Sequence, residues 1–133
     1  MVTTTKFPSG LSVGRVGGAP DVSGVLAVAL GSFDPTSASQ VALFTLPAGA
    51  TPIMVASYGG ATGGTNPTVD VGTTGDDDGI ANELDADGAA IANGGALLNA
   101  QLTADTVIYG KVGASAATGG TTAVAVLYIM SDL

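Results

Sequence analysis

The sequence predicts an all-β fold: a single β-sandwich or jelly-roll domain of about seven to eight antiparallel strands, preceded by an extended N-terminal arm. Three observations predict it. Short apolar segments alternate with clusters of Gly, Pro, Asp and Ser along most of the chain, the pattern of many short strands joined by tight turns. Of the 133 residues, 21 are Gly, 22 Ala and 16 Thr, a small-residue bias that suits turns and a thin, closely packed sandwich. Leu, Ile, Val and Phe together number 33, enough for a chain of this length to form one modest core.

Residues 1–20 carry Thr3-Thr4-Thr5, four Gly and prolines at 8 and 20, with Phe7, Leu11, Val13 and Val16 as scattered apolar contacts. This segment reads as the arm, and residues 21–133 as the sandwich domain. Within the domain the apolar segments 22–30, 40–46, 53–58, 68–72, 96–102, 106–112 and 122–130 are the candidate strands. Their separators are turn sequences: Asp34-Pro35-Thr36-Ser37, Pro47-Ala48-Gly49, the run from Gly59-Gly60 to Gly63-Gly64, Gly94-Gly95 and Gly119-Gly120. The last strand is apolar on both faces, with Val124, Val126, Tyr128 and Met130 on one side and Ala123, Ala125, Leu127 and Ile129 on the other. Such a strand is either covered on both sides or has one face in the core and the other in a subunit interface. In 106–112, Lys111 ends an otherwise buried face, so that strand is expected to reach solvent there. Alanines at 89, 90, 92, 96 and 100 favour a helix over 79–102, but Gly79, Gly88, Gly94 and Gly95 interrupt it too often for more than a short turn.

The composition excludes most familiar chemistry. With no His, Cys or Trp the chain cannot build a Ser-His-Asp triad, a thiolate nucleophile, a Cys/His zinc site or a disulfide framework. Eleven acids against Lys6, Arg15 and Lys111 give a net charge of −8, which repels nucleic acid and anionic membranes. The first eight residues lack the pattern of a signal peptide, so synthesis in a host cytoplasm without export is expected. The longest apolar run, 123–130, is far shorter than the ~20 residues that span a bilayer.

Six of the eleven acids fall within residues 76–87. Residues 74–85 resemble an EF-hand-like calcium loop in which Asp76, Asp78, Asn82 and Asp85 take positions 3, 5, 9 and 12 and Gly79 takes position 6. Thr74 at position 1 and Asp85 at position 12 depart from the usual Asp and Glu. The same residues also read as a solvated acidic loop built from Asp and Gly turns. No other cofactor is indicated, and calcium, if bound, would brace the loop. A carboxylate pair could hydrolyse glycosides, but sugar sites need aromatic platforms, and four of the six Tyr and Phe residues lie in apolar strands. The 59–64 glycine run has no following Lys and no strand-loop-helix context, so it is a connection rather than a phosphate cradle.

The opening Phe7-Pro8-Ser9-Gly10-Leu11-Ser12-Val13, the acidic loop, the segment 96–109 and the closing strand together resemble the small head decoration, or cement, proteins of tailed bacteriophages. The resemblance implies a non-enzymatic β-sandwich or jelly-roll module. It implies a homotrimer that binds the major capsid protein on the capsid exterior of the virion in many copies and braces the shell. On that reading the arm would lie along the capsid, with Lys6, Phe7, Leu11, Val13, Arg15 and Val16 as interface candidates. The rival from another class is a calcium-dependent ligand-binding or adhesive module, such as the knob of a phage fibre.

Overall fold

The computed structural model describes residues 5–6, 12–13, 25–36, 39–92 and 95–131; these contain ten strands and no helix. The first two, β1 (Thr5–Lys6) and β2 (Ser12–Val13), pair antiparallel, with Thr5 opposite Val13 and Lys6 opposite Ser12. They fall in the stretch expected as an arm, whose other residues lie outside those described.

The remaining strands are β3 (Val25–Phe33), β4 (Val41–Leu46), β5 (Ala50–Gly59), β6 (Thr68–Gly72), β7 (Ala81–Asp85), β8 (Ala89–Ala92), β9 (Thr106–Val112) and β10 (Thr122–Met130). They form two four-stranded sheets, ordered β3-β10-β5-β8 and β4-β9-β6-β7. Among these eight, the first pairs with the eighth, the second with the seventh, the third with the sixth and the fourth with the fifth, all antiparallel. That is one long antiparallel ribbon. Rolling it up sets the third strand beside the eighth and the fourth beside the seventh, as β5·β10 and β6·β9 show. The product is a jelly roll, which covers the inward face of each sheet with the other.

Alternation along the strands decides what lies between the sheets. In β10, Val124 and Val126 are fully buried and alternate with half-buried Ala123, Ala125 and Leu127. The facing sheet contributes Leu46, Val69, Val71, Leu84 and Ile108. Across the gap, Phe33 fills the space a side chain would need at residue 110: a Cβ on Gly110 would stand 2.6 Å from the Phe33 ring. Glycine in this central strand lets a bulky ring from the other sheet reach the strand's backbone.

Two expectations need correction. The second half of the acidic stretch and the alanines after it form β7 and β8, where the sequence predicts loop or a short helical turn. The strand expected at 96–102 is a turn over 96–99 followed by irregular chain. The cause is local. β8 ends at Ala92, opposite Val55, so beyond it the edge of β5 away from β10 has no strand neighbour among the described residues. Asn99 N–H donates to the Pro52 carbonyl (2.6 Å) and Leu102 N–H to that of Ala50 (2.8 Å), while Leu98 turns into the core. Asn99 has φ +65°, in the left-handed region that a continuous strand does not use.

Candidate functional site: an acidic corner and an uncharged sheet

The acids gather at one end of the β4-β9-β6-β7 sheet, and most of them serve the backbone or each other. Asp70 Oδ1 accepts the Glu83 N–H at 2.8 Å, where the β6–β7 register slips between Val69 and Val71 and Glu83 takes φ +55°. Burial holds the Asp70 carboxyl above its ordinary pKa, and the Glu83 N–H offsets part of that rise. Lys111 Nζ donates to Asp77 Oδ2 at 2.6 Å. That hydrogen bond lowers the Asp77 carboxyl and raises the Lys111 ammonium. Lys111 is half-exposed, in keeping with the solvent contact expected of it. Asp76 is raised by its hydrogen bond with the Asp78 carboxyl, and Asp87 by its hydrogen bond with Asp85.

The four expected calcium ligands do not share one space. Asp76, Asp78 and Asn82 line an open hollow of about 410 Å³ with Gly79, Ala81, Ala92, Gly95 and Ala96. Asp85 faces a second hollow of about 240 Å³, beside Asn66, Thr68, Glu83 and Asp87. β7 causes the separation, because Asn82 and Asp85 stand three residues apart on a strand interrupted at Glu83. Asp85 Oδ1 also accepts the Asp87 N–H at 3.1 Å, closing the turn into β8. Gly79 follows a turn closed by its own N–H on the Asp76 carbonyl, and a Cβ there would stand 2.7 Å from Asp76 Oδ2. Among the described residues, no three Asp, Glu, His or Cys side chains come together as a metal-holding group.

Of the interface candidates, Lys6 lies in β1 and Val13 in β2. Phe7, Leu11, Arg15 and Val16 lie outside the described residues.

A feature missed from the sequence is the outer face of the other sheet. The strands β3, β5, β8 and β10 contain no Asp, Glu, Lys or Arg, whereas the opposite sheet carries Asp70, Glu83, Asp85 and Lys111. Register places Leu30 opposite Ala125, Ala125 opposite Ala56 and Ala56 opposite Ile91, in one row across all four strands. Leu30 is 69% exposed, Ile91 71% and Tyr58 73%, with Leu26, Val28 and Ile129 also open to solvent. β10 therefore has one face in the core and the other covered by nothing among the described residues. Isolated exposed apolar residues are ordinary, but a contiguous sheet of them without a charge is not. The signal lies in three long uncharged segments, of which 122–130 shows its two apolar faces most plainly.

No protein-family model matches the chain, and no curated protein does. Three solved structures contain chains of similar fold. A chain of the cyanophage Pam1 capsid asymmetric unit matches with a TM-score of 0.64 and 23% identity, over 93% of this chain and 99% of that one. A chain of the Ralstonia phage GP4 capsid matches at 0.62 and 21%, over 90% and 93%. A chain of the acidic stable capsid structure of Helicobacter pylori bacteriophage KHP30 matches at 0.61 and 18%, over 81% and 90%. At these identities the likeness is one of fold: this jelly roll, at close to its full length, is similar to whole chains in three phage capsids.

Proposed function

We propose that the chain is a non-enzymatic structural protein of a phage virion, which binds the outer surface of the capsid in many copies and stabilises the shell. The observation that carries this reading is the end-to-end likeness to chains of three phage capsids, since nearly all of each partner chain is covered. A free-standing jelly roll of this size therefore recurs as a separate capsid chain. The exterior placement rests on charge: a protein of net charge −8 is repelled by packaged nucleic acid. The same reading takes the major capsid protein as partner, the chain as a homotrimer, and the N-terminal segment with Lys6 and Arg15 as part of the contact.

Stabilisation then follows from mass action. A protein that binds the assembled shell and not its dissociated subunits shifts the equilibrium toward the shell, and many weak sites suffice. No observation favours a calcium-dependent adhesive module. The test is co-sedimentation with capsids of the same virus that lack this protein. The protein is expected to pellet with them and to raise the temperature at which they open. Protein that stays in the supernatant at saturating concentration would overturn the proposal.

A further inference from the structure

We infer that the uncharged outer face of the β3-β10-β5-β8 sheet is covered by another copy of this same chain. This rests on the self-association part of the proposed function and assigns the surface that makes it.

Area is the first argument. From their exposed fractions, Leu26, Val28, Leu30, Tyr58, Ile91 and Ile129 present on the order of 700 Å² of side chain, against about 800 Å² per partner in a standard interface. The largest apolar patch on a typical monomer is roughly 300–600 Å².

Shape is the second. Between Leu30 on one side and Tyr58 on the other, the small residues Ala56, Ala123 and Ala125 leave a shallow hollow of about 100 Å³. One surface therefore carries both projecting side chains and a recess to receive one, so in a closed ring the projecting side of one copy can meet the recess of the next. Tyr58 adds the aromatic type enriched at the centres of interfaces.

Charge selects the occupant. Two chains of net charge −8 repel each other, and contact at the acidic corner would bring Asp76, Asp78, Glu83, Asp85 and Asp87 of both together. On the uncharged sheet, contact desolvates no charged strand residue and holds the acids of both copies away from the interface. A partner of different sequence recognised by charge would find nothing on this face to pair with. A copy of the same face needs no such pairing.

The experiment is the mass in solution, by light scattering or sedimentation, of the full chain and of Leu30→Asp, Ile91→Asp and Ala42→Asp, with capsid co-sedimentation in parallel. All three substituted side chains are exposed, and the far-UV circular dichroism spectrum reports whether each variant folds. The full chain and Ala42→Asp, which changes the opposite sheet, are expected to be oligomers. Leu30→Asp and Ile91→Asp are expected to fold and run at the mass of one chain. Oligomers that survive both face substitutions would overturn the assignment of the surface while leaving self-association intact. A full chain that is monomeric at the highest attainable concentration would overturn both. A monomeric full chain that pellets with capsids, and whose Leu30→Asp variant does not, would give the face to the capsid and overturn this inference together with self-association, while leaving capsid binding intact.

Discussion

Two buried hydroxyls and one glycine hold the corner where the chain crosses from one sheet to the other. Ser57 Oγ donates to the Asp85 carbonyl at 2.8 Å, and Thr122 Oγ1 to the Ala86 carbonyl at 2.9 Å. Both side chains are buried, and the carbonyls they meet belong to the last residue of β7 and the residue after it. Ser57→Ala leaves the Asp85 carbonyl without this donor and is expected to cost ~1–3 kcal/mol in urea unfolding. A loss below about 0.3 kcal/mol, the scatter expected between independent sites, would show that water takes over the bond. At Gly59 the constraint is steric, because an added Cβ would overlap the Ala86 carbonyl oxygen, whereas at Gly60 the nearest atom would be 3.5 Å away. Gly59→Ala should lower stability by at least the ~1–3 kcal/mol of an overpacked core, and Gly60→Ala by much less. Comparable melting temperatures for the two variants would contradict the close approach of the corner to β5.

At the scale of elements, the strands with clean alternation were legible and the ones set by their neighbours were not. β6, β9 and β10 match the apolar segments 68–72, 106–112 and 122–130, because side chains facing the core repeat every second residue there. β7 was hidden because Asn82, Glu83 and Asp85 are polar and exposed, with Ala81 and Leu84 as its inward residues. It is a strand because β6 supplies its ladder and Asp70 bridges its irregular point, neither of which a local pattern records. The segment 96–102 failed in the opposite sense: Leu97, Leu98 and Leu102 look like a strand, yet they plug the end of the sandwich where β8 stops. Asn99 separates the two descriptions. In a turn with φ +65°, Asn99→Gly should be nearly neutral and Asn99→Val should cost ~1–2 kcal/mol. A strand would give the reverse order, since β-branched residues favour strands and Gly weakens them. The site was legible in part: the sequence located the acids, but only the fold shows that Asp85 faces a different hollow from Asp76 and Asp78.

For the whole molecule, the division of labour between the sheets sets how stability responds to pH. Asp70, Asp76 and Asp87 have carboxyls raised above their ordinary value, by burial for the first and by carboxyl–carboxyl hydrogen bonds for the others. A raised acid binds its proton more tightly in the folded state. Its contribution to stability is therefore full below the ordinary value and is lost as pH rises through the raised one. Asp77, lowered by Lys111, works in the other direction: its contribution is present above the ordinary carboxylate value and disappears as pH falls through its lowered one. The raised groups titrate first on acidification from neutral, and protonating them also reduces the self-repulsion of a chain at net charge −8. The melting temperature of the protein should accordingly rise as pH falls from neutral toward the ordinary carboxylate value of 3.8, then fall at lower pH as Asp77 takes up its proton and the Lys111 pair is lost. Asp78→Asn removes one of the two carboxyl pairs, so it should flatten the rise without moving the acid limb. A melting temperature that falls steadily as pH drops from 7 toward the ordinary carboxylate value would mean that the folded protein does not hold these three carboxyls above that value, and would overturn this account of the acidic corner.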